Sequence, residues 1–342
     1  METVLSAAAP SLDPATELID LSCPEDPFQR MKSCSVVTYG EATLMRLPWS
    51  GLQRKNERGL PSLNLEVAED ASAASGLRWS VSNRAAPLPG TYERSVFRAL
   101  EWIALDGSLA RGVPFANPLV VHPRDICERL CWRATQPQFE AIEQAMQNLC
   151  RLEIEESSPA APGRPAAVSR FGLLRSAIAG TQRTVNRSLT CPHFIVYFDR
   201  FFVDSVNAGR IRPLNWGLWI ALRDPAAQRL LEIIDPEFAN HDGRVTASVE
   251  SDVLSRLLPL PSLPRNRRRI LLEQAHELLV RRGYLRKVER HASGSAEFYL
   301  YHPGSTRQAM QFRLEQQPGV RSHRKLVKTV PGGVRGKAQA QG

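Results

Sequence analysis

The order of periodic segments constrains this chain most. After Leu88-Pro89-Gly90, apolar residues at Val96, Phe97, Leu100, Trp102, Ile103 and Leu105 recur at helical spacing until Asp106-Gly107 stops the run. A short apolar strand at Leu119–Val121 follows, then helices over Pro123–Cys131 and Pro137–Leu152, the second with Phe139, Ile142, Met146 and Leu149 on one face. Leu152–Glu155, Phe171–Ile178 and Phe194–Phe198 read as strands of a wing with a long loop at Ser157–Pro165. The order then returns. A helix over Trp216–Ile234 precedes a strand near Arg244–Ala247 and a helix over Val249–Leu258, which Pro259, Pro261 and Pro264 end. A last helix over Asn266–Arg282 leads into a hairpin of Tyr284–Val288 and Glu297–Tyr301.

Helix, strand, helix, helix, hairpin is the order of a winged helix, and its recurrence predicts two in tandem. The expected class is α+β, mainly helical: tandem winged-helix domains with β-hairpin wings, flanked by an irregular N-terminal arm and a disordered basic C-terminal tail. The expected division is a mostly irregular arm over 1–60, a first winged-helix domain over 61–210 with leading strands at Leu63–Ala68 and Leu77–Asn83, a second over 211–302, and the tail over 303–342. The repeat rests on element order, not on residue identity.

Charge points to the partner. The formal net charge is +9 and the pI is near 9.6, so a polyanion fits. The excess sits in two places. Arg265–Arg290 holds nine Lys or Arg against three acids, and Pro303 to the end holds eight against the single acid Glu315. In a helix-turn-helix the first turns of the second helix enter the major groove, where arginine forks onto guanine. Arg265, Asn266, Arg267, Arg268 and Arg269 fit that task, with Arg281, Arg286 and Lys287 leading into the wing. Glu273 and Glu277 on the same helix oppose it. In the first module Gln144 and Asn148 are the candidates to read adenine, beside Glu140 and Gln147, and Arg170, Arg175, Arg183 and Arg187 are candidates for backbone contact from its wing. A solvated polar surface is the competing account of each.

Other classes find little support. Cys23, Cys34, Cys127, Cys131, Cys150 and Cys191 form no C-x-x-C pair, and Cys127 with Cys131 lacks a second ligand pair, so no metal is expected. No stretch approaches the roughly 20 apolar residues of a membrane helix. Met1–Asp20 carries acids where a signal peptide has a basic start, so the expectation is a cytoplasmic protein, associated with nucleoid or plasmid, with no membrane partner. No nucleotide-binding glycine loop occurs. His276-Glu277-Leu278-Leu279 has Val280 where a zinc protease needs its second histidine, and neither His122 nor His193 has the partner a nickase needs. No catalytic residue, no cofactor and no enzyme activity is expected.

Tyr197–Gly209, Leu214-Asn215-Trp216 and Ala226–Leu231, with the Arg229-Leu230 pair, resemble plasmid replication initiators of the replication initiator protein A class. The resemblance covers about Leu88 to Tyr301, and the long first-wing loop and the arm depart from it. It implies a protein that binds repeated origin sequences in double-stranded DNA, opens adjacent A·T-rich DNA and recruits the host initiator ATPase and replicative helicase. A homodimer through the first winged helix is also implied. A transcriptional regulator and a protein-binding scaffold on the same fold are the alternatives the residues leave open.

Overall fold

The computed structural model describes residues 37–52, 59–67, 77–84, 86–158, 166–183, 190–240, 246–259, 264–293 and 296–308. In chain order the elements are β1 (Val37–Glu41), α1 (Ala42–Arg46), β2 (Ser62–Val67), β3 (Leu77–Asn83), α2 (Thr91–Arg111), β4 (Leu119–Val121), α3 (Pro123–Leu130) and α4 (Gln136–Cys150). There follow β5 (Leu152–Ser158), β6 (Ala167–Phe171), β7 (Leu174–Arg183), β8 (Thr190–Phe198), α5 (Arg200–Asn207), β9 (Ile211–Asn215) and α6 (Trp216–Leu222). The last are α7 (Pro225–Asn240), β10 (Ala247–Glu250), α8 (Ser251–Leu257), α9 (Arg265–Arg281), β11 (Leu285–Ser293) and β12 (Ala296–Pro303).

Two antiparallel three-stranded sheets carry the tandem. The first has the order β4-β8-β7 and the second β10-β12-β11, so in both the strand after the first helix pairs with the last strand of the wing. Each sheet closes over three helices, α2, α3 and α4 or α7, α8 and α9. The architecture is therefore α+β with two winged helices of the same strand order.

Superposing the orders exposes a residue-level repeat. Arg98-Ala99-Leu100-Glu101-Trp102-Ile103 on α2 answers Arg229-Leu230-Leu231-Glu232-Ile233-Ile234 on α7. Gly172-Leu173-Leu174-Arg175 at the start of β7 answers Gly283-Tyr284-Leu285-Arg286 at the start of β11. Leu174 and Leu285 are buried, and register shifts place Arg175 and Arg286 at matching bulges. Arg98 to the end of α4 spans 52 positions, as does Arg229 to the end of α9. Most of the length difference therefore falls between α4 and β7, and the rest within the wing.

That insertion corrects the reading of the first wing. β5 and β6 do not belong to it: they join β2 and β3 in a separate four-stranded sheet of order β2-β3-β5-β6, and the wing is β7–β8. Three further expectations change. The arm is built into the fold from Val37, since β1 pairs with β9 and Leu44, Met45 and Trp49 are buried. The helix expected over Trp216–Ile234 breaks at Arg223, which takes a left-handed φ of 48°; Asp224 then accepts from Ala227 N at 2.7 Å and Pro225 starts α7. The chain beyond Pro303 stays ordered to Gln308, with Arg307 buried and its Nε 2.8 Å from Asp235 Oδ1. Residues 309–342, which hold the rest of the basic tail, lie outside the described residues, as do 1–36.

A buried charge cluster joins the two modules. Glu232 on α7 receives Arg98 Nε at 3.2 Å, Arg229 Nη1 at 2.9 Å and Trp219 Nε1 at 3.0 Å. Arg98 also binds Glu101 and the Leu44 carbonyl, while Arg229 donates to the carbonyls of Met45, Arg46 and Leu257. Burial alone would raise the Glu232 carboxyl, but Arg98, Arg94 and Arg229 outweigh it and hold it down at about 2. Glu101 has Arg98 and the Glu41 amide as partners, but burial outweighs them and pushes it up to about 7.

Two outcomes follow for stability. Glu232→Ala strands three buried guanidiniums and should cost about 3–5 kcal/mol in denaturant unfolding, with Arg98→Met/Glu232→Leu recovering part of it; a loss below 1 kcal/mol would mean the cluster is not what joins the modules. His276, buried beneath the second wing with Nε2 3.1 Å from Tyr301 Oη, is held neutral by burial, its pKa lowered to about 4. Its folded value is depressed, so its contribution is complete above pH 6.5 and is lost as pH falls toward 4. That loss is about 3 kcal/mol. Unfolding curves between pH 7.5 and 4 should steepen over this window for the native chain and flatten for His276→Leu.

Candidate nucleic-acid interface

α9 is assembled against its own dipole. Its N-cap, Pro264, gives no side-chain hydrogen bond, and its first turn holds no acid. Arginines crowd there instead, although the helix N-terminus already carries about half a positive charge. Each such cation costs about 0.3–1 kcal/mol at a surface. A local rule broken in this way is the kind of departure expected at a functional or strained site.

The helix faces sort these side chains. Leu272, Ala275, His276 and Leu279 point into the module, whereas Asn266, Arg267, Arg269 and Arg281 are exposed. Arg268 lies between, half-buried, and its Nε has no hydrogen-bond partner. Arg269 leans back toward Glu273 at 3.5 Å, while Arg267 is exposed. Arg265 is the first residue of α9, and its side chain lies outside the described set.

A cleft of about 640 Å³ runs along these turns, lined by Ser251, Asp252 and Ser255 of α8, by Asn266, Arg268 and Arg269, and by Arg290, Glu297 and Tyr299 of the wing. The wing thus meets α9 at Arg290, which bonds Glu297 across the hairpin. Arg281, Arg286 and Lys287 do not join this group. Arg281 lies about 21 Å along the axis from Arg267, Arg286 stands at the bulge just after it, and Lys287 is paired with Glu289. The sequence places positive charge at both ends of one helix, and in the structure one cluster lies at the cleft and the other at the root of the wing. Arg290, which the sequence places with the basic residues entering the wing, is the wing cation that reaches the cleft.

The first module offers a different surface. Gln144 is exposed on α4, but Asn148 is half-buried and its Nδ2 donates to Glu93 Oε1 at 3.2 Å, so it anchors α4 to α2 instead of facing outward. Arg170 is on β6, not on the wing, and its Nε sits 2.7 Å from Glu155 Oε2. Arg175 is exposed at its bulge. Arg183 is placed only by its register opposite Thr190, and Arg187 lies outside the described residues. α4 carries Glu140 and Glu143 and no basic residue.

On the outer face of the same module, Val120, Ile195 and Ile178 lie side by side across β4, β8 and β7. Val120 is 61% exposed and Ile178 51%. Next along the strands, His193 lies flat over Gly180, where a Cβ would come within 2.9 Å of Nε2. This apolar row was not visible as such in the sequence, because it needs the register of three strands separated by up to 75 residues.

Among the described residues no group of three His, Cys, Asp or Glu side chains is placed to hold a metal, and no helix is long and apolar enough to cross a membrane. Cys127 is buried and Cys131 forms the left-handed cap that ends α3.

No known family model matches this chain, and no curated protein matches it in sequence. Among solved structures it is similar to domains 2 and 3 of RctB, crystallised as selenomethionine derivatives, at 11% identity and a TM-score of 0.48 over 77% of this chain and 98% of that one. It is also similar to the Pi initiator protein in complex with iteron DNA, at 10% identity and a TM-score of 0.40 over 63% of this chain and 94% of that one.

Proposed function

We propose that this chain is a sequence-specific double-stranded DNA-binding protein that initiates replication at an origin carrying repeated sites. The observation that carries DNA binding is the start of α9: arginines on an uncapped, acid-free helix end, beside a cleft shared with the wing. Phosphates would neutralise that end, and the exposed turns of α9 fit the width of a major groove. The chemistry is that of binding, not of catalysis. Initiation rests on the resemblance of Tyr197–Gly209, Leu214-Asn215-Trp216 and Ala226–Leu231 to the replication initiator protein A class. Recruitment of a host initiator ATPase and a helicase is carried by that resemblance too.

A homodimer through the first module belongs to the same reading. Its support is the row Val120, Ile195 and Ile178, which has no cover within the described residues, on a module whose α4 is acidic where α9 is basic.

Binding should be strongly electrostatic. Six phosphate contacts give a slope of log affinity against log salt of about −5, and Arg268→Ala/Arg269→Ala should flatten it by about 2. Gel-shift titrations of the chain on DNA flanking its own gene measure both, and a slope near zero removes the proposal. Direct repeats beside an A·T-rich tract as the bound element support initiation; one inverted repeat across a promoter points to transcriptional control, and retention of protein without DNA to a scaffold. For the dimer, Ile178→Lys should shift sedimentation from dimer to monomer while leaving unfolding unchanged. A native chain that sediments as a monomer at all concentrations rules the interface out.

A further inference from the structure

The outermost row of α9 contains a side chain that phosphate binding does not explain. Arg267, Ile270, Gln274, Glu277 and Arg281 follow one another at steps of three and four residues, which makes a single line along the helix, and all five are exposed. Ile270 is 48% exposed. Its neighbours one turn away, Asn266, Arg267, Glu273 and Gln274, are all polar. A solitary aliphatic in a polar field is too small to dock a protein surface, which needs a contiguous apolar cluster. It matches a solitary apolar group in a polar groove. The major groove of DNA has one, the 5-methyl of thymine.

We infer that Ile270 is a specificity-determining residue that packs on a thymine methyl, with Arg267 and Gln274 reading the base pairs on either side. This rests on the DNA-binding reading above and deepens it. Along the axis Arg267 lies about 4.5 Å before Ile270 and Gln274 about 6 Å after it. Base pairs rise by about 3.4 Å, so the three side chains address neighbouring steps of one short run. Arginine forks onto the O6 and N7 of guanine, and glutamine onto the N6 and N7 of adenine. Glu277 lies about 15 Å from Arg267, farther than the groove is wide, so its carboxylate falls at the groove wall and not on its floor. Arg268 and Arg269, turned toward the cleft, are left to hold the phosphate backbone. The row thus assigns base reading to Arg267, Ile270 and Gln274, and clamping to the arginines beside them.

The test uses the full chain and a pool of duplexes with a randomised 20-base-pair core. Sequences retained by the native chain should share a thymine that Ile270→Ala no longer selects, and an adjacent adenine that Gln274→Ala no longer selects. In the retained site, replacing that thymine by deoxyuridine should weaken native binding about fourfold and leave Ile270→Ala unaffected. Ile270 is on the surface, so the variant should keep the native unfolding curve and salt slope. Indifference of the native chain to every single thymine-to-uracil exchange would sink the assignment while DNA binding stands. A pool from which no duplex is retained would sink the DNA-binding reading and this one with it.

Discussion

Glu232 is the point on which the relative placement of the two winged helices depends. Three arginines from two helices converge on it with almost no exposure, and a buried carboxylate among guanidiniums is tolerable only when the remaining donors find acceptors. The fold supplies these from helix ends. The Leu44, Met45 and Arg46 carbonyls belong to the last turn of α1, and the Leu257 carbonyl to the last residue of α8. Such terminal carbonyls have no partner within their own helix and sit at its negative end. The N-terminal segment is therefore a component of the joint: without α1, Arg229 and Arg98 would lose acceptors that water cannot replace at that depth. Arg94 is the exception, since it donates to the Pro225 carbonyl at 3.3 Å and keeps Nε and Nη1 without partners. The cluster thus holds slightly more positive charge than it satisfies, and burial correspondingly lowers the Arg94 pKa.

What was legible in the sequence is what local periodicity encodes. α2, α4 and α9 each repeat apolar residues over several turns, and the element order follows from them. Apart from the local break of a helix at Arg223, the misreadings needed a partner far away in the chain. β1 and α1 are five residues each, too short for a period, and β1 finds its partner β9 some 170 positions on. β5 alternates as a wing strand would, yet it pairs with β3, and alternation alone does not name the partner. One signal was present and unused. The Arg-x-Leu-Glu-x-Ile string at Arg98 and Arg229, and the Gly-x-Leu-Arg string at Gly172 and Gly283, would have aligned the modules and isolated the inserted β5–β6 hairpin. The arginine cluster at α9 was legible because it sits at a helix start that three prolines mark. Ile270 was not, because a single aliphatic in a helical window reads as core until the buried face is known.

The same residue type meets two fates in this protein, and the difference lies in its surroundings. Arg98 and Arg229 are compensated inside the fold, by Glu232, Glu101 and helix carbonyls. Arg267 stands on an uncapped helix start with no acid in its turn. Composition counts both kinds alike, which is why the net charge of +9 indicates a polyanion without locating it. Location comes from asking which cations the fold neutralises. Arg170, Lys287, Arg290 and Arg269 have carboxylates at hand, and for the last two the partners Glu297 and Glu273 line or flank the cleft itself. An arriving phosphate would compete with those carboxylates, and until then the ion pairs hold the arginines in place.

The repeat gives both modules one scaffold, and the departures from it divide the work. Both keep the arginine and glutamate of the joint and the bulge at the wing root, features that serve the fold. They differ on the helix that would enter a groove and on the outer face of the sheet. α9 gathers cations at its first turns, whereas α4 has acids and amides and fixes Asn148 inward on Glu93. The sheet of the first module turns Val120, Ile195 and Ile178 outward, while in the second the matching row is Ser248, Leu300 and Glu289. A polyanion is favoured by the second surface and disfavoured by the first, where an apolar partner has more to gain. Because the Glu232 cluster joins the two modules, whatever binds the first is held at a set distance and angle from whatever binds the second. That rigidity is what would let a chain with one strongly basic helix impose an arrangement on several DNA sites at once.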